Sequence, residues 1–100
     1  MAKVTEITYY VEDGSPVDWD FVETCGQTMK RIWGCSYTYG MVFIGDHAGC
    51  SYMQLEFDSY GAYAHLQDTW QNNAEWVAFL TAAEGKVGPV EGRQLLHVQG

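Results

Sequence analysis

The side chains of this sequence with chemistry to offer are three histidines, seven tyrosines, three cysteines and Arg93 near the C-terminus. His47 lies within IGDHAGCSY, residues 44–52. A turn explains that stretch without a ligand. Gly45 and Gly49 allow positive φ, and Asp46 can brace the backbone. The competing reading, His47 as the working end of an active site, needs partners that its sequence neighbours do not supply. His65 is expected at a helix flank or in solvent. His97 shares a strand side with Arg93 and Leu95, and of the three it is the histidine placed to act on a sheet face. No two histidines have a metal-ligand spacing, so no metal is expected. Haem ligation by a single histidine stays open, and the expected site needs no cofactor. Cys25 and Cys35 have no base beside them in sequence, so a thiol nucleophile is unsupported. The sequence lacks G-x-S-x-G, a P-loop and G-x-G-x-x-G.

The tyrosines are the stronger lead. Tyr9, Tyr37 and Tyr39 are expected on the helix-facing side of a sheet, with Met41, Met53, Leu55 and Trp70 around them and Tyr63 approaching from a helix. Such a wall is apolar with a few O–H groups. It suits a flat or elongated ligand carrying a carbonyl or phenol. A packed aromatic core explains the same residues without a ligand. Arg93 would fix a carboxylate if it pointed inward; an exposed strand arginine is the alternative. Tyr39 and His97 are the candidate catalytic residues, as hydrogen-bond donors or proton shuttles.

Elements read from patterning must position these groups. Residues 4–11, VTEITYYV, alternate, with Ile7, Tyr9 and Val11 on one side and Glu6 and Thr8 on the other. Ser15, Pro16 and Asp18 look like a helix start, with Ser15 as N-cap and Pro16 in the first turn. Phe21, Val22, Cys25, Met29 and Ile32 then form a stripe, and Gly34 closes the helix. Residues 35–44 and 50–57 form a hairpin centred on His47. In that register Ile44 faces Cys50, Met41 faces Met53, Tyr39 faces Leu55 and Tyr37 faces Phe57, while Phe43 joins the tyrosine side. Ser59 opens a second helix through Tyr63, Leu66 and Trp70. Asn72-Asn73 interrupts it, and Trp76, Phe79, Leu80 and Ala83 form a short second stripe. Residues 90–98 make the last strand. The order β-α-β-β-α-β predicts an α+β, ferredoxin-like domain over residues 1–100, with a four-stranded antiparallel sheet and helices on one face. The other face carries Val42, Ile44 and Tyr52 and is expected to meet a second subunit.

Thirteen acidic residues against five basic give a net charge of −8. That balance argues against nucleic acid and against an anionic membrane surface. An odd cysteine count without C-x-x-C reads as reduced thiols of a cytoplasmic protein. The start, MAKVTEITYY, does not look like a signal peptide, and no stretch is apolar enough for a membrane span. Fifteen aromatic residues in a hundred favour a ligand cavity or a subunit interface.

The run GDHAGCSYMQLEFDSYGAYAHLQDTWQNNAEWVAFLTAA resembles the hairpin and second helix of small dimeric α+β barrel proteins. These include the antibiotic-biosynthesis-monooxygenase-like and NIPSNAP-like groups. The likeness rests on the small-residue hairpin, the aromatic helix start and Asn73-Ala74-Glu75-Trp76, and the ending GRQLLHV resembles their final strand. The resemblance implies a homodimer whose sheets face each other, and a cavity between sheet and helices in each subunit. Proteins of those groups oxidise polycyclic phenols without metal or flavin, cyclise polyketides, degrade haem or have no known activity, so the resemblance implies that catalysis, if present, is cofactor-independent monooxygenation or cyclisation of a polyketide-like or acyl compound. The alternative is a binding or structural dimer module without catalysis.

Overall fold

In a computed structural model of the chain, residues 3–14, 16–86 and 88–99 are described. Four strands and three helices follow in the order β1 (Lys3–Tyr10), α1 (Trp19–Trp33), β2 (Ser36–Met41), β3 (Ser51–Phe57), α2 (Tyr60–Thr69), α3 (Ala74–Ala82) and β4 (Val90–Val98). A single 3₁₀ turn, Trp70–Asn72, links α2 to α3. The strands lie in the order β2-β3-β1-β4, every pair antiparallel.

The helix starts are set by short polar side chains. Ser59 Oγ accepts the Ala62 amide at 3.1 Å, and Asn73 Oδ1 accepts the Trp76 amide at 2.9 Å. The start of α1 differs from the expected one. Asp18 Oδ1 takes the Phe21 amide at 3.0 Å, so the helix begins at Trp19 and Pro16 precedes it. Ser15, the expected cap, lies outside the described residues. Gly34 ends α1 with φ 76°, its N–H donating to Lys30 O at 2.8 Å.

The hairpin register is two residues away from the expected one. Tyr37 pairs with Leu55, Tyr39 with Met53 and Met41 with Ser51. Val42 N–H donates to Cys50 O and Gly49 N–H to Val42 O, so residues 43–49 form a wider loop than a turn centred on His47 requires. A shift of two keeps every side chain on its expected face. Phe43 and Ile44 nevertheless leave the sheet, each 91% exposed.

β1 is where the pattern misleads. Val4 pairs with Phe57, Glu6 with Leu55 and Thr8 with Met53, so Val4, Glu6, Thr8 and Tyr10 face the helices. Ile7 and Tyr9 lie on the opposite, open face. The buried core joins Val4, Met29, Cys35, Met53, Leu55, Phe57, Leu66 and Trp76. Above the sheet, Trp33 meets Trp76 edge-on at 5.6 Å, Trp76 stacks on Phe79 at 5.4 Å, and Phe79 stacks on Phe21 at 5.4 Å. This aromatic chain ties α3 to α1. Close approach of α1 to β2 depends on Gly26, where a Cβ would sit 2.3 Å from the Tyr37 ring. Among the described residues no helix is long and apolar enough to cross a membrane.

Candidate functional site

Between the sheet and the helices lies a cavity of about 890 Å³. β1 contributes Glu6, Thr8 and Tyr10 to its floor, β3 contributes Met53 and Leu55, and β4 contributes Arg93. Cys25, Met29 and Trp33 of α1, with Leu66, Trp70, Trp76 and Phe79, form the apolar walls. Parts of the segments before α1 and before β4 complete the lining. They are tied together by the Val11 N–H donating to Pro89 O at 2.9 Å. The volume falls within the range of about 300–1,000 Å³ typical of small-molecule sites, and apolar walls around a few polar groups are the usual chemistry of such sites.

The polar groups are concentrated on β1 and β4. Glu6 is only 7% exposed. The Tyr63 hydroxyl donates to Glu6 Oε2 at 2.8 Å. Burial, then the Glu6 carboxylate, pushes the Tyr63 phenol up to about 12, so it stays a donor through the physiological range. Arg93 pairs in register with Thr8 on the same face, and its positive charge acts on both the Tyr63 and Tyr10 phenols, opposing their upward shifts. Burial pushes the Cys25 thiol up to about 11, leaving it a small neutral part of the wall.

Of the residues singled out from sequence, Met53, Leu55, Trp70 and Arg93 line this cavity, and Tyr63 reaches it through Glu6. Tyr37 and Tyr39 face the helices but turn their hydroxyls to Glu23 of α1, Tyr39 at 3.2 Å, and do not line the cavity. Met41, at the end of β2, is 40% exposed. Tyr9 is a correction: it stands on the open face, where its hydroxyl donates to Gln94 Oε1 at 3.2 Å. Tyr39 and His97 lie on β2 and β4, the two edges of the sheet, and are not brought together. Sequence reading missed Glu6, Thr8, Tyr10 and Cys25 as cavity residues. The available signal was the Val4–Tyr10 phase of β1, whose ends are apolar although its middle is not.

His47 does belong to the hairpin loop, and the loop is docked. Its ring stacks on Tyr9 with centroids 3.9 Å apart, and Nδ1 lies 2.7 Å from Glu91 Oε2. Gly92 supplies the seat, since a Cβ there would come within 3.0 Å of the imidazole. Glu91 reaches this position through a β-bulge: Tyr9 pairs with Gly92 and Tyr10 with Val90, leaving Glu91 unopposed. Cys50 Sγ donates to the same Glu91 oxygen at 2.9 Å. The carboxylate pushes the Cys50 thiol up to about 11, with burial adding to the effect. In turn the Cys50 hydrogen bond, followed by that of His47, holds the Glu91 carboxyl below its ordinary value. His47 and Cys50 both direct their polar atoms at one oxygen rather than at a vacant centre. Among the described residues no group of three His, Cys, Asp or Glu side chains could hold a metal ion.

A carboxyl group with a lowered folded-state pKa stabilises the fold above its unfolded value, and that contribution disappears as pH falls through the folded one. Glu91→Gln is therefore expected to lower the thermal midpoint near neutral pH. The gap to the parent protein should narrow as pH falls from neutral to below the ordinary glutamate value of about 4.3. A gap constant across that range would show that the docked loop owes nothing to the charge.

No protein-family model and no curated protein matches the chain. Solved structures do. A NIPSNAP-family protein of unknown function from Agrobacterium tumefaciens aligns over 96% of this chain and 86% of its own, at 19% identity and a TM-score of 0.67. A NIPSNAP-like domain protein from Burkholderia xenovorans aligns over 99% and 84%, at 14% identity and a TM-score of 0.66. A protein from Bacteroides fragilis, described as dimeric with a ferredoxin-like fold, aligns over 98% and 96%, at 13% identity and a TM-score of 0.56. This chain has the ferredoxin-like fold. Its NIPSNAP-like resemblance in sequence is matched by NIPSNAP-family neighbours in structure. At these identities the likeness is one of fold, and the chemistry of this ferredoxin-like domain must be argued from its own cavity.

Proposed function

We propose that this chain binds an apolar, oxygen-bearing small molecule, polyketide-like or acyl, between its sheet and helices. The observation that carries this reading is a cavity of about 890 Å³ with an aromatic and thioether wall enclosing a few polar groups, Glu6, Thr8 and Arg93 among them. The apolar wall would hold the ligand skeleton, while Arg93 would orient its oxygen. Catalysis in such a site would be cofactor-independent oxygenation or cyclisation. The separation of Tyr39 from His97 favours a second reading, a binding module without turnover.

The working unit is a homodimer. The dimeric description of the Bacteroides fragilis neighbour supports this, as do Phe43 and Ile44, exposed on the hairpin loop. Three free thiols fit a reducing compartment, the cytoplasm.

Trp33, Trp70 and Trp76 line the cavity, so their fluorescence reports on its occupancy. Titration with β-tetralone, a compact benzo-fused ketone, should give saturable quenching with one site per chain. No quenching up to the solubility limit of the ketone would sink the binding reading. A sedimentation mass near 11.3 kDa, that of one chain, would sink the dimer.

A further inference from the structure

Glu6 sits mid-strand on β1 with Leu55 and Leu95 as its cross-strand neighbours, so its carboxylate has apolar residues on both sides. At 7% exposure it is a group that folding buries at a cost unless it is hydrogen-bonded. The Tyr63 hydroxyl satisfies Oε2 only, and Oε1 accepts no hydrogen bond from a described residue. Glu6 also lines the cavity, as does Arg93 two positions along the same face. A carboxylate fixed at one oxygen and open at the other, in an apolar cavity with an exposed guanidinium at its edge, is arranged for proton transfer.

We infer that Glu6 is a general base for carbon acids: it removes a proton alpha to the carbonyl of an apolar ketone held in the cavity. This rests on the binding reading above and names the substrate class for it. In the step, the C–H bond breaks and an O–H bond forms at Glu6 Oε1. The electron pair enters the enolate, whose oxygen faces the Arg93 guanidinium. Tyr63 is a positioning residue that holds the carboxylate through Oε2. Returning the proton to either end of the enolate exchanges or isomerises the ketone. If the enolate carbon instead attacks a second carbonyl of the same ligand, a C–C bond forms, and Glu6 returns its proton to the new alkoxide. Neither route uses an oxidant.

The test is exchange of the alpha hydrogens of β-tetralone in deuterium oxide, followed by proton NMR, with binding measured in parallel by tryptophan fluorescence. The parent protein should bind the ketone and speed exchange by about a hundredfold or more over buffer. Glu6→Gln keeps an acceptor for the Tyr63 hydroxyl and removes the base. It should bind the ketone but exchange it at the buffer rate. Exchange surviving in Glu6→Gln, or a parent protein that binds without speeding exchange, overturns the inference and leaves the binding reading standing. Failure of the parent protein to bind overturns both. Should Glu6→Gln fail to fold, Arg93→Met decides. It alters an exposed edge-strand side chain and should slow exchange by about tenfold or more with the fold intact. An unchanged rate in Arg93→Met overturns the assignment of the enolate oxygen to that guanidinium, and with it the inference.

Discussion

Truncation of Phe57 to alanine is expected to destabilise the fold by about 3–5 kcal/mol, the range for deleting a buried phenylalanine ring. Phe57 is the largest fully buried side chain, 2% exposed, at the end of β3. It pairs with Val4 across the sheet and meets the Tyr63 ring edge-on at 5.4 Å. Its removal would therefore loosen both the sheet and the seat of α2. The loss has the scale of a small domain's whole stability, about 5–15 kcal/mol. The thermal midpoint should fall by about 15 °C or more. Denaturant melts of the two proteins measure the difference. A change below about 1 kcal/mol would mean that the β1–β3–α2 junction packs differently from the arrangement described.

Filling the cavity should abolish binding without a comparable loss of stability. Cys25 lies on α1 and lines the cavity, and its thiol is neutral. Cys25 packs against the core and also lines the cavity, so the indole of Cys25→Trp can enter that cavity at an overpacking strain of about 1–3 kcal/mol. Affinity for β-tetralone should fall by at least about tenfold, because the indole takes the volume that the ketone needs. Retained affinity in a folded Cys25→Trp protein would put the ligand somewhere other than between sheet and helices.

The two substitutions mark different kinds of information in the chain. Phe57 was legible as an inward residue because β3 alternates cleanly: Ser51, Met53, Leu55 and Phe57 are buried, with half-buried Tyr52, Gln54 and Glu56 between them. Period-two patterning of that strength specifies a face without help from its neighbours. The same holds for the element order, for the Ser59 and Asn73 caps and for the Gly34 stop, all of which are local chemistry. The hairpin register slipped by two residues, and the faces survived because the side-chain period is also two.

β1 lacked such a signal. Its two phases, Val4-Glu6-Thr8-Tyr10 and Thr5-Ile7-Tyr9, are nearly equal in apolar content. Only pairing with both β3 and β4 could choose between them. That choice moved Tyr9 out of the cavity and Glu6 into it. The environment of His47 was hidden for a related reason. Its partners Tyr9, Glu91 and Gly92 are distant in sequence, and Glu91 reaches it through a bulge that no local pattern announces. Arg93 lay between: its strand position could be read, but not whether it faced inward.

By itself, then, the sequence determined the ferredoxin-like order of elements, the net charge of −8 that disfavours polyanionic partners, and a high aromatic content, although of the aromatic residues expected to wall a cavity only Trp70 lines it directly. These follow from periodicity, capping and composition, which act over a few residues or are summed over all of them. Tertiary structure alone decided which face of β1 turns inward, and hence that a carboxylate and a guanidinium share the cavity floor. A strand's facing is fixed by the strands it pairs with, and here the decisive partners lie some fifty and ninety residues along the chain.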